Sequence, residues 1–574
     1  MAFAQGDIHW TVNASYAYLT GHVTDFYDYN LATVGGADYF PTVYLIFALW
    51  MAPVKLLLGT DANPGGFVTP VETAWAKLLL VLLFWATAWL VSRIARELFT
   101  AERARQVATL AYLLSPFAAF AVVIFGQYDV FGVFFTLLGF LALLRGEKWR
   151  FALFFALAAS CKYFALVIFA PLLVLAFKRV RDIAALSVVA LSVLAVQSLL
   201  YIGSPAFRSR TLLGGLATGK VADAGQNQIT LLLGVLFLAG LWGLWRYRPT
   251  PAQFGEIAVH ASALAYGFML LAVVWNPQWF MILTPFYALS AAYLRRPAWF
   301  LLWESGAFMA FVWYVVNRSP GNVDATMILG SPLRETLGTP RVLLGSFYSF
   351  SGMTGAQVIL IAFLVSPTVF AILERLSSGR IDQVPVRPWV WTVRALTPAL
   401  VFMIPALLTA RIPMPVAERL DPGAGTYGSY REQVCGIGDT AYGEIHDGVI
   451  VRQTLALDEG DLLALSIKVG TYGRVVPGSI ALRLLDADGA ELAASTTDLS
   501  GVADNAAVYL KPAAPLRLPS GSTFTLEIAT TGVPEGDGVA LWGLTDDCIQ
   551  PGELRIAEGV ASGDLSLVIY RPGS

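Results

Sequence analysis

The side chains that could do chemistry are few, because most of the first 410 residues are apolar. Ionisable groups between apolar helices are costly to bury, so each one is a functional hypothesis by default. The group consists of two acids, a histidine, a lysine and two amides: Asp7, His9, Gln127, Asp129, Lys162 and Gln278. Together they predict a water-accessible cavity with an acid, a base and amides at its floor.

Each of these residues also has a structural interpretation. Asp7 could be an ordinary loop acid, and Asp129 could cap the helix that follows it, because Asp satisfies free backbone N–H groups at that position. Lys162 could extend to the membrane interface. Gln278 could simply satisfy a turn. These alternatives stay open on the sequence alone.

The elements that must position these residues are membrane helices. Hydrophobic residues make up 56% of the 574 residues, charged residues make up 14%, and the mean hydropathy is +0.63. Soluble domains carry about 25% charged residues. The sequence therefore predicts a polytopic α-helical membrane protein embedded in the lipid bilayer. The net charge of −2 gives no indication of nucleic-acid binding.

The loops between the apolar stretches fall into two chemical classes. Short basic loops are expected on the cytoplasmic side, and they lie at residues 93–105, 145–150, 178–181, 246–248, 295–296 and 375–387. Loops rich in Gly, Pro and aromatic residues are expected outside, and they lie at residues 126–129, 203–228, 276–278 and 317–352. The alternation predicts about twelve passes through a plasma membrane. The cavity and the C-terminal domain would then be extracytoplasmic.

One apolar run lies between two basic loops and is short for two full crossings. It extends over residues 151–177 and contains Cys161-Lys162 near its middle. We therefore predict a broken or re-entrant hairpin that turns near Lys162. Cys161 itself is interpreted as a packing residue.

The first 54 residues contain no Lys or Arg, so residues 1–72 are predicted to form a first external loop. Its apolar stretch at residues 41–58 contains Pro53 and Lys55, and we interpret it as a helix in the outer interface. The alternative is a full span that leaves Asp7 cytoplasmic. An external start also leads us to expect a preceding signal-anchor helix, and its absence from the sequence suggests a truncated or misassigned start.

The transmembrane domain is predicted over residues 1–410, and an external domain over residues 415–574. In the second, short alternating apolar runs are separated by turns such as Asp488-Gly489. This pattern predicts an all-β sandwich, with a jelly roll favoured. Cys435 and Cys548 lie near its two ends, and in an oxidising exterior they could form one disulfide. The alternative is two unpaired buried thiols.

The order of these segments resembles the GT-C glycosyltransferases. The nearest likenesses are the catalytic subunit of the first GPI mannosyltransferase and bacterial polyprenyl-phosphate-mannose-dependent mannosyltransferases. The resemblance rests on four segments in register over roughly the first 300 residues, which are Gly6-Asp7-Ile8-His9, Gly126-Gln127-Tyr128-Asp129, Lys162-Tyr163-Phe164 and Gln278-Trp279-Phe280. The family's usual first membrane helix is absent, and the β-domain lies outside the resemblance.

The resemblance implies transfer of a sugar from a polyprenyl-phosphate donor to a glycan or glycolipid acceptor, with inversion and with mannose favoured. It implies that Asp7 is the catalytic base and that Lys162 stabilises the donor phosphate. Arg208, Arg210 and Lys220 in the external loop at residues 203–228 are a second, weaker set of candidate phosphate ligands, and the alternative is that this loop is an ordinary basic loop. His9, Gln127, Asp129 and Gln278 would position the donor sugar.

No cofactor is indicated by the sequence. His9 occupies the position where some relatives have a second acid, so a two-carboxylate metal site is not supported. No His/Cys/Asp cluster has the spacing of metal ligands either.

Two other function classes fit a polytopic chain with polar residues at depth. One is a transporter or lipid-linked oligosaccharide flippase with an external binding domain. Transporters are often built from inverted repeats with interrupted helices, and the sequence shows no corresponding pair in two halves. The other is a non-catalytic scaffold that uses the β-domain as its binding module.

Overall fold

The computed structural model divides the chain into two compact units, Met1–Ile412 and Pro413–Ser574. Most of both units is described, and the ranges are 3, 6–34, 36–59, 68–212, 228–273, 276–318, 327, 353–376, 383–411, 429–433, 440–457, 459–472, 474–502, 505–519, 522–544, 549, 552–557, 559–561 and 563–572.

The first unit is helical throughout its described residues. In chain order its α-helices are α1 Gly6–Leu19, α2 Phe26–Thr33, α3 Pro41–Leu58, α4 Pro70–Leu98, α5 Glu102–Leu113, α6 Pro116–Ala118, α7 Val130–Leu144, α8 Lys148–Cys161, α9 Ala165–Ala176, α10 Val180–Tyr201, α11 Gln228–Arg246, α12 Pro251–Ala272, α13 Thr284–Tyr293, α14 Pro297–Arg318, α15 Met353–Leu376, α16 Pro388–Pro398 and α17 Ile404–Arg411. Short π-helices lie at Ala119–Ile124, Phe207–Leu212 and Ala399–Met403, and a 3₁₀-helix lies at Pro277–Ile282.

Eight helical segments of the described residues are long and apolar enough to cross a membrane, judged by length and composition. Three shorter apolar helices accompany them, at Val130–Leu144, Ala165–Ala176 and Leu231–Arg246. The predicted polytopic helical fold is therefore confirmed, while the count of about twelve passes stays a prediction. Pro41–Leu58 is one of the eight, so its length suits the full span that was the alternative to an interfacial helix.

Helices α3 and α4 are joined by a reciprocal tryptophan pair. The indole N–H of Trp50 donates to the carbonyl of Trp75, the indole N–H of Trp75 donates to the carbonyl of Trp50, and both distances are 2.8 Å. The rings stack with their centroids 5.0 Å apart. Two half-buried donors are thereby satisfied by the neighbouring helix, which fixes the two helices in one register.

The predicted hairpin over residues 151–177 is broken, as expected. Helix α8 ends at Cys161, Lys162 has an extended backbone (φ −153°, ψ 107°), and α9 begins at Ala165. The break places a polar residue where two apolar helices meet.

A second irregular segment links α5 to α7. Ser115 caps the one-turn helix α6 through a hydrogen bond from the N–H of Ala118, and the chain continues as a π-helix to Ile124. Gly126 then takes a left-handed backbone (φ +82°), a conformation that favours glycine. π-turns inside helices are frequent at functional sites, and this one ends at Ile124, three residues before Gln127.

One buried ion pair in this unit was not predicted. A guanidinium N–H of Arg394 on α16 donates to a carboxylate oxygen of Glu304 on α14 at 2.9 Å, and the side chains are 0% and 3% exposed. Arg394 also donates to the carbonyls of Leu301 and Ala111, and the Ser115 hydroxyl donates to Glu304 at 2.6 Å. The pair links α5, α14 and α16 with its polar atoms largely satisfied.

The second unit is all-β. Its strands are β1 Ser429–Gln433, β2 Thr440–Ile445, β3 Ile450–Ala456, β4 Gly460–Leu462, β5 Ala464–Gly470, β6 Ser479–Leu485, β7 Glu491–Asp498, β8 Ala506–Leu510, β9 Leu516–Leu518, β10 Thr523–Thr531, β11 Val539–Leu544, β12 Leu554–Ile556, β13 Gly559–Ala561, β14 Asp564–Leu565 and β15 Leu567–Pro572.

These strands form two main antiparallel sheets. The seven-stranded sheet runs β1-β15-β5-β11-β14, with β2 paired to β11 and β8 paired to β5, and the six-stranded sheet runs β13-β12-β3-β10-β6-β7. Apolar side chains of both sheets form one buried cluster that includes Leu465, Leu541, Leu482 and Leu526. The predicted all-β sandwich is confirmed. Alternating burial along β6 and β10 is the reason that the sequence pattern found them.

A buried Gln–Asp pair crosses this sandwich. The Gln453 amide donates to one carboxylate oxygen of Asp564 at 2.6 Å, and the backbone N–H of Ile549 donates to the other at 2.8 Å. The Gln453 carbonyl oxygen accepts from the N–H of Leu565 at 2.9 Å. Every one of these acceptor oxygens has a donor, so the pair is a structural crosslink.

Candidate functional site

The first polar pair of the site joins residues that are far apart in sequence. Asp7 lies in the first turn of α1, and Gln127 follows the left-handed Gly126. The amide N–H of Gln127 donates to Asp7 Oδ2 at 2.7 Å. Gln127 is fully buried, and its hydrogen bond holds the Asp7 carboxylate in one orientation.

The second pair is a buried ion pair. Lys162 Nζ donates to Asp129 Oδ1 at 2.9 Å, and the side chains are 10% and 1% exposed. Asp129 stands at the N-cap position of α7, but its carboxylate makes no capping hydrogen bond. The capping interpretation of Asp129 and the interfacial interpretation of Lys162 are therefore both wrong.

Three aromatic rings surround the ammonium of Lys162. Its Nζ lies 5.0 Å from the ring centroid of Tyr39, 5.6 Å from that of Phe164 and 5.4 Å from that of Trp279. These rings come from the segment before α3, the break after α8 and the 3₁₀-helix. A cation held over ring faces is stabilised by their electron density, so these rings help to hold the lysine side chain in place.

Tyr39 lies next to both polar pairs. Burial raises the pKa of its phenol well above the ordinary value, and the nearby carboxylates of Asp129 and Asp7 act in the same direction. Its ring also packs against Tyr128 with centroids 4.9 Å apart, and the Tyr128 hydroxyl accepts from the Thr11 hydroxyl at 2.7 Å. The structure therefore brings Asp7 and Lys162 to one site around Tyr39.

Two acceptor atoms in this site have no hydrogen-bond partner among the described residues. They are Oε1 of Gln127 and Oδ2 of Asp129, and both are buried. Buried polar atoms are usually satisfied, and each exception needs an explanation. Both atoms can accept hydrogen bonds from hydroxyl groups, which suits a polyhydroxylated ligand.

The other predicted positioning residues are also buried near this site. His9 is 4% exposed and lies two residues after Asp7 on α1. Gln278 is 3% exposed and precedes Trp279, whose ring contacts both Lys162 and Phe164. Sequence order alone could not show that Trp279 and Lys162 are neighbours.

The three cations of the second predicted set of phosphate ligands, Arg208, Arg210 and Lys220, do not share one environment among the described residues. Arg208 is exposed and donates to the carbonyls of Ile202 and Gly203 in its own loop. Arg210 lies 3.9 Å from a carboxylate oxygen of Asp38. Lys220 lies outside the described residues. Arg210 is therefore tied to the segment that leads to Tyr39, whereas Arg208 is tied to its own loop.

Of the three cysteines, the structure describes one. Cys161 is a buried free thiol at the end of α8, next to Lys162. Cys435 and Cys548 lie outside the described residues, so their disulfide stays a prediction. Within the described part of the chain, no group of three or more His, Cys, Asp or Glu is arranged to hold a metal ion.

Sequence reasoning missed one buried cation near the site. Lys77 lies inside the apolar helix α4, is 0% exposed and is close to Gly126. The signal that could have found it is simple, because a single lysine in a long apolar helix is rare and costly.

Comparison with known proteins now bears on this geometry. Residues 45–284 match Glycosyltransferase family 87, a range that covers less than half of the chain. The match supports a glycosyltransferase. The matched range contains Gln127, Asp129, Lys162 and Gln278, whereas Asp7 precedes it and the β-domain follows it.

The chain resembles the cryo-EM structure of the arabinosyltransferase EmbB from Mycobacterium smegmatis at 12% identity, covering 99% of this chain and 63% of that one, with a TM-score of 0.30. The chain thus spans less than two thirds of that protein's length, and a TM-score of 0.30 is too low to establish a shared fold. No curated protein matches the sequence.

Proposed function

We propose that this glycosyltransferase moves a sugar, with mannose favoured, from a polyprenyl-phosphate donor to a glycan or glycolipid acceptor, inverting the anomeric carbon. The observation that supports this most directly is the joint placement of two polar pairs, Asp7–Gln127 and Asp129–Lys162, around Tyr39. One pair offers a base and the other a cation. Such a site has the two charges that displacement of a phosphate by a hydroxyl requires.

In the proposed reaction, the acceptor hydroxyl oxygen attacks the anomeric carbon from the face opposite the phosphate. The new C–O bond forms as the bond from the anomeric carbon to the phosphate oxygen breaks, and the electron pair leaves with polyprenyl phosphate. The hydroxyl proton goes to the Asp7 carboxylate. General-base help of this kind contributes roughly 10²–10⁴ in rate.

Lys162 is the proposed stabiliser of the leaving phosphate. An ammonium has three N–H donors, and Asp129 takes one of them. The aromatic rings and Asp129 orient the ammonium before the donor binds, so little reorganisation is needed when charge develops. Gln127 Oε1 and Asp129 Oδ2 would accept hydrogen bonds from hydroxyls of the donor sugar.

We further propose that the site opens on the extracytoplasmic side of the plasma membrane. The basic loops suggest this orientation, because Lys and Arg are enriched on the cytoplasmic side. Of the described basic loop residues, Arg145, Lys148 and Arg150 lie at the end of α8 opposite to Lys162. The acceptor would then be an extracytoplasmic glycan.

The test is a transfer assay with purified protein in proteoliposomes and a panel of radiolabelled polyprenyl-phosphate mannose, arabinofuranose and glucose. Asp7→Asn is compared with Asp25→Asn, because Asp25 is an exposed acid that hydrogen-bonds His22 in the same N-terminal region. We expect one donor to be used by the wild type. We expect Asp7→Asn to lose about 10²–10⁴ in turnover while donor binding and expression stay normal, and Asp25→Asn to be unaffected.

Two outcomes would contradict the proposal in different ways. Full turnover by Asp7→Asn would show that another group takes the proton. Binding of the donors with no transfer by the wild type, together with their movement across the vesicle bilayer, would instead favour the flippase alternative.

A further inference from the structure

Lys77 is a buried cation that the proposed reaction does not use. It lies within α4, is 0% exposed, and its ammonium donates to the main-chain carbonyl of Phe3 and, at 3.4 Å, to that of Ile124. No carboxylate of the described residues forms an ion pair with it. Burying an ammonium without a counter-ion costs several kcal/mol per ion in order of magnitude, so an apolar residue would serve better if only packing mattered.

The two acceptors belong to the two segments that carry the Asp7–Gln127 pair. Phe3 precedes α1, which places Asp7 in its first turn, and Ile124 ends the π-helix that leads to Gln127. Lys77 therefore donates a hydrogen bond to each of the two segments that carry the Asp7–Gln127 pair.

The same place is packed closely around Gly126. A Cβ at Gly126 would lie 3.6 Å from Lys77 Cε and 3.9 Å from Ile8 Cδ1. The lysine stem and the side chain of Ile8, the neighbour of Asp7, therefore both lie beside Gly126, the residue before Gln127.

The Phe3 end of this link is anchored as well. The Phe3 side chain is 2% exposed, and its ring packs edge-on against Phe402 with centroids 6.2 Å apart. Phe402 also contacts Phe120 of the π-helix, with centroids 5.0 Å apart. The Phe3 ring therefore packs against Phe402, which in turn contacts the π-helix that contains Ile124.

We propose that Lys77 is a positioning residue that holds Asp7 and Gln127 in register for proton transfer. This inference rests on the proposed role of Asp7 as base. Lys77 acts through main-chain carbonyls and touches no reacting atom. A misplacement of about 1 Å can cost on the order of 10²-fold in rate, so its loss should act on turnover rather than on donor affinity.

The experiment compares Lys77→Met with Lys178→Met. Lys178 is a matched control, because its ammonium also donates to two carbonyls, those of Val174 and Leu244, at 2.8 and 2.7 Å. We expect Lys77→Met to lower kcat by about 10–100-fold with KM for the donor changed by less than about 2-fold, and Lys178→Met to leave both unchanged. Lys77→Gln, which keeps an N–H donor, should recover part of the loss.

A double-mutant cycle with Gln127→Ala separates positioning from general damage. If Lys77 acts through Gln127, then Lys77→Met should cause little further loss of kcat in the Gln127→Ala background, because coupled residues are not additive. Independent multiplication of the two losses would overturn the proposal.

Hydrogen–deuterium exchange provides a readout that needs no activity. Lys77→Met should raise exchange in peptides covering residues 6–12 and 119–129, whereas Lys178→Met should raise it only near α9 and α11. Unchanged exchange at residues 6–12 and 119–129 would overturn the positioning role even in an active enzyme. A wild type that transfers no sugar, with the exchange pattern as expected, would refute the proposed function and leave the link between the two segments standing.

Discussion

Each unit of the chain contains a buried glutamine and a buried aspartate, and the two units differ in how many of the side-chain oxygens receive a hydrogen bond. In the β-domain, the carbonyl oxygen of Gln453 and both carboxylate oxygens of Asp564 receive donors from the protein. In the helical unit, Gln127 and Asp129 each use one polar atom, and Gln127 Oε1 and Asp129 Oδ2 are buried with no partner among the described residues.

The difference separates a structural crosslink from a binding site. A fully satisfied buried network rigidifies a core, whereas an unsatisfied buried acceptor costs about 1–3 kcal/mol. That cost is offset when a ligand supplies the missing donor. We therefore expect substitutions at Asp564 to affect folding, and substitutions around Asp129 to affect catalysis.

Asp129→Asn should give the largest contrast. It leaves the Lys162 ammonium without its carboxylate, and removing one partner of a buried ion pair costs about 3–5 kcal/mol. We expect kcat/KM for sugar transfer to fall by at least about 10²-fold. Steady-state kinetics in proteoliposomes measures this, with thermal unfolding of the β-domain as the control that should not change. Normal sugar transfer by Asp129→Asn would contradict the assignment of Asp129 to a binding site.

Lys162→Met should have the next largest effect. It keeps most of the apolar stem of the side chain, but it removes the ammonium that lies over Tyr39 and Trp279 and that the proposed mechanism places on the donor phosphate. Hydrogen bonds to charged groups contribute about 1.5–3 kcal/mol, so the donor KM should rise by about 10–100-fold. Titration with a non-transferable polyprenyl-phosphate analogue would show the same loss, and an unchanged affinity would reduce Lys162 to a structural ion-pair partner of Asp129.

Asp564→Asn tests the structural pair in the β-domain. The amide replaces one of two satisfied acceptors by a donor that faces the Gln453 amide or the N–H of Ile549. We expect the β-domain to lose about 1–3 kcal/mol of stability, measured as earlier protease cleavage in the β-domain during denaturant titration. Transfer to a short soluble acceptor should stay normal. A loss of transfer without a loss of stability would show that Asp564 is not only a structural crosslink.

Asp25 provides the smallest expected effect and the exposed reference. Its hydrogen bond with the His22 side chain lowers the pKa of the Asp25 carboxyl. A lowered pKa means that the contribution to stability is present above the ordinary pKa of Asp and is lost as the pH falls through the lowered value. Because both side chains are exposed, the wild type and Asp25→Asn should differ in Tm by less than about 1 °C at pH 7. A large difference in Tm would mean that this pair does more than an exposed pair can.

The sequence predicted those features whose cause is local. Long apolar stretches predicted the helical unit, alternation predicted strands such as β6 and β10, and the shortness of the run over residues 151–177 predicted a break near Lys162. The break was predictable because a chain with basic loops on both sides must turn within the membrane.

From the sequence, the site residues could be predicted to lie in one cavity, but their individual hydrogen bonds and ion pairs could not. Asp129 and Lys162 were expected in one cavity, but their ion pair depends on the packing of α7 against α8, which brings residues from separate helices together. Arg394 was missed for a related reason. It follows a basic loop and looks like one more flanking cation, yet the packing of α16 buries it against Glu304. Lys77 had a local signal, although its two carbonyl partners had none.

The mutual hydrogen bonds of Trp50 and Trp75 restrict how α3 can move. Sliding α3 along α4 by one turn would break both indole bonds at once and separate the stacked rings, whereas a small rotation about the pair would keep all three contacts. Any opening of the helical unit at α3 should therefore proceed as a swing about this point. Because Trp50 lies near the middle of α3, the end that begins beside Tyr39 and the opposite end near Leu58 would then move in opposite directions.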